Sequence, residues 1–335
     1  MKIVVEANIP YIRGILEKFG EVVYLPASAI DFAAVRDADA LFVRTRTRCD
    51  GRLLSGSSVG FIATATIGTD HIDLGYCRDN GIAVYNAPGC NAPAVAQYVF
   101  SVIGNYFGGR SLAGMKLGVV GVGNVGSIVA RWGGRLGMDL LLCDPPRSRR
   151  EGGGSFVGLD RVMEEADVIT FHTPLTKEGD DRTFHLADSR FFNGLKRCRL
   201  LINSSRGAVV DNAALLEALA EKRLEAAAID CWENEPQINR QLLENAFVAT
   251  PHIAGYSSDG KKRATAMALE AFSRHFGVEV DGIPSTDAPS KGAEIKDIRQ
   301  VMASYDPLAD TARLKANPDD FEQLRNNYTL RLECR

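Results

Sequence analysis

A glycine-rich turn between an apolar run and a helical pattern constrains the fold of this chain most strongly. The turn, Gly121-Val122-Gly123-Asn124-Val125-Gly126, follows the run Lys116–Val120 and precedes a helical pattern at 127–136. In such a unit the first glycine makes the tight turn, the second lets backbone approach a pyrophosphate, and the third lets helix and strand pack closely. The helix N-terminus then offers unpaired N–H groups to the phosphates. We therefore predict a dinucleotide site that includes the residues of this turn.

The next apolar run bears on which dinucleotide binds. It ends in Asp144, 18 residues after Gly126 (144 − 126 = 18). An aspartate at this point accepts hydrogen bonds from the ribose 2′-hydroxyl and repels a 2′-phosphate, which favours NAD over NADP. Three arginines follow at 147, 149 and 150 and would suit a 2′-phosphate instead. Because two prolines stiffen the exit from the strand, we interpret these arginines as a solvated loop and predict NAD.

Short β-branched runs alternate with helical patterns along most of the chain. This alternation predicts an α/β fold with two doubly wound, parallel-sheet (Rossmann-like) domains. Strands are predicted at 2–5, 22–24, Ala40–Val43, Phe61–Thr64 and Ala83–Tyr85, and then at Lys116–Val120, Asp139–Cys143, 168–172, Leu200–Asn203, 226–230 and 247–249. Helices are predicted at 12–18, 127–136, 212–221 and 261–276.

Three domains are predicted from these patterns. Residues 1–92 together with 254–280 form a substrate (catalytic) domain, and residues 93–253 form the NAD-binding domain. A linker rich in proline, glycine and aspartate at 281–289 opens a polar segment, 281–335, which we predict to be a small α+β unit. Because this segment is too short for a secure core of its own, we expect it to pack on a partner subunit.

Composition and cysteine spacing exclude several classes of function. Lysine and arginine number 39 against 42 acidic residues, so the net charge of -3 gives no case for nucleic acid or an anionic membrane. The seven cysteines form no C-x-x-C pair, so we predict no metal site and reduced thiols. The start, MKIVVEANIP, predicts no signal peptide, and no apolar run approaches the roughly 20 residues of a membrane helix. We expect a soluble, cytoplasmic protein.

Polar residues follow three of the later strands, at Arg206, Glu235 and His252. Ligands of open α/β sheets bind beyond the carboxyl ends of strands, so these side chains are expected at one site. A guanidinium suits a substrate carboxylate, an imidazole suits proton abstraction near neutral pH, and a carboxylate orients that imidazole. These are the requirements for oxidising a 2-hydroxy acid. His172 also follows a strand and is the rival base.

At these residues the chain resembles the D-isomer-specific 2-hydroxyacid dehydrogenase family. The matching segments are VVGVGNVG (119–126), INSSRGAVVD (202–211), DCWENEP (230–236) and PHIAGYS (251–257), and the resemblance covers about residues 1–280. It implies that Arg206, Glu235 and His252 are the catalytic residues of an NAD-dependent dehydrogenase. Alternatives within and beyond the family remain open: an enzyme of the 3-phosphoglycerate or hydroxypyruvate type, or a non-catalytic NAD-sensing protein on the same fold.

Further segments, among them TATIGTDHID (64–73) and HIAGYSSDGK (252–261), resemble a branch of the family that acts on a phosphorylated 2-hydroxy acid. This resemblance implies a homodimer formed through the C-terminal segment. It also implies substrate contacts from Thr45, Thr66 and Tyr256, and NAD contacts from Asp144, Thr173, Asp230 and Gly255. From the residues themselves we add Arg44 as a phosphate contact, because strand alternation would point Arg44, Arg46 and Arg48 to one side.

Overall fold

The structure is a computed structural model that describes residues 1–286 and 295–334. Its strands are β1 (Lys2–Glu6), β2 (Glu21–Leu25), β3 (Ala40–Val43), β4 (Phe61–Thr64), β5 (Ala83–Tyr85), β6 (Lys116–Val120), β7 (Asp139–Cys143), β8 (Val168–Phe171), β9 (Leu200–Asn203), β10 (Ala226–Ile229) and β11 (Val248–Ala249). Its α-helices are α1 (Phe32–Val35), α2 (Gly51–Leu54), α3 (Leu74–Asp79), α4 (Ala92–Tyr106), α5 (Asn124–Arg135), α6 (Pro145–Glu151), α7 (Leu159–Glu165), α8 (Ser189–Gly194), α9 (Asn212–Ala220), α10 (Arg240–Asn245), α11 (Ser258–Phe276), α12 (Ile298–Ser304), α13 (Pro307–Ala316) and α14 (Phe321–Asn326). Short 3-10 helices lie at Glu17–Phe19, Ala27–Ala29, Gly207–Val209 and Pro318–Asp320.

The chain forms two compact units. Unit 1 comprises Met1–Asn91 and the described residues of Ser258–Lys291, and unit 2 comprises Ala92–Ser257 and the described residues of Gly292–Arg335. Both are α/β units built on a parallel sheet. The predicted fold class, with two Rossmann-like parallel sheets, is therefore confirmed.

Unit 1 has a five-stranded parallel sheet in the order β2-β1-β3-β4-β5. Alternate residues of its strands enter two different cores: Ile3 and Val5 join one hydrophobic cluster, and Val4 joins the other. This alternation arises because successive side chains of a strand point to opposite faces, both of which are covered here. Helix α11 covers one face, where Phe272 packs against Phe42 with ring centroids 5.7 Å apart.

Unit 2 has a six-stranded parallel sheet in the order β11-β10-β9-β8-β6-β7. The chain runs from β6 outwards to β7 and then returns to β8 on the other side of β6. Such a reversal is the switch point at which doubly wound sheets bind ligands, beyond the carboxyl ends of the strands. Here the turn after β6 and the residues after β8 lie at that point.

The C-terminal segment packs into unit 2 of its own chain. Val301 of α12, Leu314 of α13 and Phe321 of α14 are fully buried in the two cores of this unit. We expected the segment to pack on a partner subunit because it is too short to form its own core. The structure corrects this reason, because the segment packs into the cores of unit 2 in its own chain. Whether the segment also forms a dimer stays a prediction. Residues 287–289 of the predicted linker lie outside the described residues.

The boundary of unit 2 differs from the predicted domain 93–253 at the loop that follows β11. This loop stays with unit 2 as far as Ser257. The Ala254 N–H donates to Asp230 at 3.0 Å, and Arg331 donates to the Tyr256 carbonyl at 3.1 Å. The loop therefore belongs to the unit whose side chains hold it.

The helix predicted at 12–18 is wrong. Gly14 has a φ of +81°, which breaks a right-handed helix, and a 3-10 helix at Glu17–Phe19 follows. Ile12 and Leu16 are both fully buried as anchors of this irregular segment. Their spacing of four residues imitated one face of a helix, so periodicity alone misled the prediction.

The structure also bears on the membrane question. Across residues 1–286 and 295–334, no helix has both the length and the apolar character needed to cross a bilayer.

Candidate active site

Three loops that carry the predicted catalytic residues leave neighbouring strands of unit 2. Arg206 follows β9, Glu235 follows β10 and His252 follows β11, and these strands lie side by side in the sheet. The strands are parallel, so their carboxyl ends share one edge. The order of the strands thus brings together segments that are distant in sequence.

His252 and Glu235 form a hydrogen-bonded pair. Nδ1 of His252 lies 2.8 Å from Oε2 and 3.1 Å from Oε1 of Glu235. The backbone N–H of Trp232 donates to Oε1 of the same carboxylate at 2.9 Å and fixes its orientation. Because Nδ1 donates its proton to the carboxylate, the neutral ring carries its lone pair on Nε2, as a general base requires.

The Glu235 carboxyl stays ionised although it is mostly buried. Burial acts to raise its pKa, but the charge and hydrogen bond of His252, the Trp232 N–H and the charge of Arg325 together hold the pKa below its usual range. A carboxylate with this environment stabilises an imidazolium next to it. The pair can therefore accept a proton from a substrate hydroxyl and hold the resulting charge.

His252 itself has an unusual backbone conformation. Its φ is +57°, in the left-handed region that non-glycine residues seldom occupy. Its N–H donates to the Thr250 carbonyl at 3.0 Å, and the next N–H, that of Ile253, donates to Asp230 at 2.7 Å. Strained residues persist only where their surroundings hold them, and they cluster at active sites.

Asp230 organises the loop after β11. Its buried carboxylate accepts hydrogen bonds from the Thr250 hydroxyl at 2.7 Å, from Ile253 and from the Ala254 N–H. These three donors flank His252 on both sides. The sequence resemblance assigned Asp230 to NAD, a contact that stays a prediction, whereas the structure places its carboxylate within the histidine loop.

Arg206 lies where the loop after β9 touches the loop after β10. Asn203 donates through Nδ2 to the Arg206 carbonyl at 3.0 Å and to the Cys231 carbonyl at 3.3 Å. Gly207 packs so tightly on this second loop that a Cβ would lie 1.9 Å from the Trp232 carbonyl oxygen. Position 207 therefore requires glycine, and the tight contact fixes the neighbouring Arg206 beside the loop that carries Glu235.

His172, the rival base, is unsuited to proton transfer. Its Nε2 lies 3.0 Å from the Thr170 hydroxyl, and burial lowers the pKa of its imidazole to about 3. A group with that pKa holds almost no proton at neutral pH and is a very weak base. The structure therefore favours His252.

The glycine turn after β6 has the geometry that a dinucleotide needs. Gly121 has a φ of +87°, and at Gly126 a Cβ would lie 2.0 Å from the Gly121 carbonyl oxygen. At Gly123 a Cβ would meet no atom of the chain within 4 Å, so a ligand can approach there. Gly123 also begins helix α5 without a side-chain cap, which leaves the first N–H groups, those of Asn124 and Val125 among them, for phosphate oxygens.

Asp144 lies against this turn. One carboxylate oxygen accepts the Val122 N–H at 2.8 Å, and the other caps α6 by accepting the Arg147 N–H at 2.9 Å. The arginines that followed Asp144 in the sequence are neutralised in part: Arg147 pairs with Glu151 at 2.7 Å, and Arg149 pairs with Asp181. This disfavours a 2′-phosphate site and agrees with NAD.

Two buried hydroxyl groups at the strand ends have no hydrogen-bond partner in the structure. They are Oγ1 of Thr173, after β8, and Oγ of Ser204, after β9. Buried polar groups are normally satisfied, so two unsatisfied hydroxyl groups at the carboxyl edge of the sheet, one of them at the switch point, fit residues that await a ligand. The residues of this edge therefore fit NAD, and Thr173 remains a candidate contact together with Gly255 of the histidine loop.

In unit 1 the candidate substrate residues follow β3 and β4, which are adjacent strands. The Arg44 N–H donates to Glu6 at 2.8 Å, and Nη1 of Arg44 donates to the Asn8 carbonyl at 3.2 Å, while its Nε is buried without a partner. Thr45 is exposed on the turn, and the Thr66 hydroxyl lies 2.7 Å from that of Thr64. Arg44 thus retains a donor for an anion.

The strand alternation from which we expected Arg44, Arg46 and Arg48 to share one side does not extend to these residues. The chain leaves the strand at Val43 and turns, so strand alternation no longer applies. Arg48 instead pairs with Asp50 at 2.8 Å, with its side chain 79% exposed.

Sequence reasoning missed three residues that support the site. Glu6 holds the turn after β3, since its carboxylate also accepts the Thr47 hydroxyl at 2.8 Å. An acid that ends a buried strand was the available signal. Arg325 and Arg331 of the C-terminal segment contact the loops of Glu235 and His252. Nothing in the sequence marked these two arginines, because they lie at least 73 residues after His252 (325 − 252 = 73).

Cys231 adds a third potential metal-ligand atom near the pair. Its sulfur and atoms of Glu235 and His252 lie within 4.8 Å of one another. Burial raises the pKa of the Cys231 thiol well above its usual range, so the metal-binding thiolate is disfavoured. The hydrogen bond between Glu235 and His252 accounts for their proximity without an ion.

The sequence and the fold have counterparts in known proteins. A family model described as "D-isomer specific 2-hydroxyacid dehydrogenase, NAD binding domain" matches residues 94–254. The solved structure of D-lactate dehydrogenase from Aquifex aeolicus, complexed with NAD and lactic acid, is similar with a TM-score of 0.69 and 26% identity, and the match covers 85% of this chain and 100% of that one. The chain belongs to the D-isomer specific 2-hydroxyacid dehydrogenase family, and unit 2 contains its NAD-binding domain.

Relatives that match nearly the whole chain share one name. The chain is 50% identical to the erythronate-4-phosphate dehydrogenase of Bacteroides fragilis (strain ATCC 25285), over 99% of this chain and 97% of that protein. It is 43% identical to the protein of the same name from Escherichia coli O127:H6, over 99% of this chain and 92% of that protein. The family assignment made from the motifs is confirmed, as is the resemblance to a branch named for a phosphorylated hydroxy acid.

Proposed function

We propose that this protein oxidises 4-phospho-D-erythronate to (R)-3-hydroxy-2-oxo-4-phosphooxybutanoate with NAD, in the biosynthesis of pyridoxal 5′-phosphate. The observation that carries the proposal is the His252–Glu235 pair, 2.8 Å apart, on a strand end next to that of Arg206. Near-full-length identity of 50% to an erythronate-4-phosphate dehydrogenase supports the choice of substrate.

The proposed roles follow from the chemistry of the three groups. Arg206 binds the substrate carboxylate and polarises the C2 oxygen, since a guanidinium stays charged and binds carboxylates through two hydrogen bonds. Nε2 of His252 takes the C2 hydroxyl proton, and Glu235 stabilises the imidazolium through Nδ1. NAD, when bound, accepts the hydride from C2, so the products are the 2-keto acid, NADH and one proton.

Several residues are proposed to hold the two ligands. Thr45, Thr66 and Tyr256 are proposed substrate contacts, and Arg44 a contact of the substrate phosphate. For NAD we propose contacts from Gly121, Gly123, Asn124, Val125, Gly126, Asp144, Thr173, Asp230 and Gly255. The free Nε of Arg44 and the unsatisfied hydroxyl of Thr173 support two of these assignments.

We further propose that the protein works as a homodimer in the cytoplasm. The dimer rests on the resemblance of the C-terminal segment to a dimerisation segment. Seven buried cysteines, none in a disulfide although all lie within the described residues, support a reducing compartment.

The decisive experiment compares substrates. Purified protein with NAD is given 4-phospho-D-erythronate, D-3-phosphoglycerate or D-glycerate in turn, and the nicotinamide absorbance is followed. We expect kcat/KM to be highest for 4-phospho-D-erythronate by at least about tenfold, equivalent to about 1.4 kcal/mol of transition-state binding. An equal or inverted preference would assign the chain another substrate, and no turnover of any acid would favour an NAD-sensing role.

A further inference from the structure

A buried arginine from the C-terminal segment reaches the catalytic pair. Arg325 lies on helix α14, and its Nη1 is 3.6 Å from Oε2 of Glu235, the same oxygen that contacts His252. The side chains of Arg325 and Glu235 are only 16% and 18% exposed. A charge contact at this burial is weakly screened by solvent, unlike a surface salt bridge.

Arg325 also interacts with a second residue of the site. Its guanidinium interacts with the hydroxyl of Tyr256, on the loop that carries His252, and although burial acts to lower the pKa of the guanidinium, this interaction raises that pKa. On its own helix, Glu322 lies 3.9 Å from Nη1, farther than Glu235. Arg325 therefore bridges the loops after β10 and β11 from outside the sheet.

The surrounding segment is anchored firmly enough to hold Arg325 in place. Phe321, one turn earlier on α14, is fully buried in the core of unit 2. Arg331, six residues after Arg325, donates to the carbonyl groups of Ile253 and Tyr256, both at 3.1 Å. The histidine loop is thus held by the C-terminal segment at several points.

We propose that Arg325 is a positioning residue for the oxidation: its guanidinium holds the Glu235 carboxylate in place against His252 and keeps the pair ready to accept a proton. This inference rests on the proposed function, since it deepens the role of the same pair. Arg325 acts through Glu235 and is not itself proposed to touch substrate.

Other charged and titratable groups also surround the His252–Glu235 pair. They are Arg206, Asp230 and Cys231 from the loops after β9 and β10, Tyr256 from the loop after β11, and Glu322 from α14. Asp230 opposes Arg206 in sign, and burial raises the pKa of Cys231 so that the thiol stays neutral. Arg325 is a cation in direct contact with the Glu235 carboxylate, with Nη1 3.6 Å from Oε2.

The sign of the effect follows from Coulomb's law. A cation beside the pair stabilises the carboxylate and repels an arriving proton, so without it the pair binds its proton at a higher pH. Without Arg325, His252 would then be protonated, and unable to accept the substrate proton, up to a higher pH. For a partly buried charge we expect the acidic limb of the pH profile to move up by about 0.5–1 pH unit.

The test compares R325Q, R325K and the control R313Q. Arg313 lies on α13 of the same segment, its side chain is 68% exposed, and it pairs with Asp310 rather than with the catalytic residues. For each variant, kcat/KM for 4-phospho-D-erythronate is measured across pH, and NADH binding is titrated to verify that unit 2 is folded. We expect R325Q to lose about 3–10-fold on the acidic limb, at pH values well below the wild-type midpoint, and to recover at alkaline pH, consistent with that shift. R325K and R313Q should keep the wild-type limb.

Two results would overturn the proposal. One is an R325Q profile whose acidic limb has the same midpoint pH as that of the wild type, even if kcat/KM is lower at every pH. A merely structural role would lower kcat/KM without changing that midpoint. The other is an R325K profile that matches R325Q, because the positive charge would then be irrelevant. If R325Q fails to bind NADH, the variant E322Q serves as the test instead. It removes the carboxylate that competes with Glu235 for Arg325, so the acidic limb should move to lower pH. An unchanged limb in E322Q would reject the proposed role of Arg325.

A second readout separates this inference from the substrate assignment. The titration of the His252 imidazole is followed by nitrogen-15 NMR in the wild-type protein and in R325Q, with H252Q used to assign the signal. This measurement needs no substrate. A midpoint that rises in R325Q supports the inference even if 4-phospho-D-erythronate is not turned over, and coincident titrations reject it even if the acid is a good substrate.

Discussion

At the scale of single residues, the site depends on contacts that restrict what each side chain can do. His252 is held through Nδ1 by Glu235, whereas burial of the other strand-end histidine, His172, lowers its pKa to about 3. Both residues looked like candidate bases in the sequence. The difference between them is one of environment, which the residue type does not encode.

The first prediction concerns His252. Replacing it with alanine should lower kcat for 4-phospho-D-erythronate by about 10²–10⁴-fold, the range expected for loss of a general base. NADH affinity should change little, because the glycine turn is untouched. Steady-state kinetics and a fluorescence titration measure both quantities. The matched control is H275Q in unit 1, where His275 packs on Phe61; near-normal turnover in H252A would place the base elsewhere.

The second prediction concerns the phosphate. Arg44→Ala removes a guanidinium whose buried Nε has no partner in the structure, so KM for 4-phospho-D-erythronate should rise by about tenfold, the equivalent of one charge-assisted hydrogen bond. Turnover of D-erythronate, which lacks the phosphate, should be unaffected. The control is R48A, since Arg48 is exposed and paired with Asp50. Equal losses for both acids would count against a phosphate contact.

At the scale of elements, the turn from β6 into α5 combines two demands on glycine. Gly126 must allow the helix to lie on the turn, because a Cβ there would be 2.0 Å from the Gly121 carbonyl oxygen. Gly123 faces open space and begins the helix without a cap. Glycine is therefore needed at position 126 for packing, and at position 123 so that a ligand can approach the backbone.

The third prediction separates these demands. G126A should lower the free energy of unfolding by about 1–3 kcal/mol or more, as overpacked sites do. G123A should leave the unfolding free energy within about 0.5 kcal/mol, because its Cβ meets no atom of the chain, but should weaken NADH binding. Chemical denaturation and NADH titration give the two values. If G123A binds NADH as tightly as the wild type, the pyrophosphate does not approach this residue.

At the scale of the whole molecule, the chain passes from unit 1 to unit 2, returns with α11 and then enters unit 2 again. Each unit has a parallel sheet with a hydrophobic core on both faces. The last crossing brings α12, α13 and α14 into the second unit, where they complete its cores and reach the catalytic loops. The C-terminal segment is therefore structural for unit 2, whatever its part in a dimer.

The fourth prediction tests this structural role. Phe321→Ala removes a fully buried ring from the core of unit 2 and should cost about 3–5 kcal/mol of unfolding free energy. Leu332→Ala, at a side chain 60% exposed in the same segment, should cost less than about 0.5 kcal/mol. Urea unfolding of the two variants measures the difference. Comparable, small losses in both would mean that α14 is not part of the core.

The sequence by itself determined the parallel α/β architecture, the nucleotide turn and the family, because these depend on local signals: buried strands, glycines at fixed offsets, and an acid at a strand end. It also supplied Arg206, Glu235 and His252 as candidates. Tertiary structure decided what depends on contacts between distant residues. Gly14 turned an apparent helix into an irregular segment. The turn after Val43 removed the strand alternation on which the prediction for Arg44, Arg46 and Arg48 rested. Arg325 reached Glu235 from 90 positions away (325 − 235 = 90). Such contacts are set by packing, and no local pattern records which side chains packing will bring together.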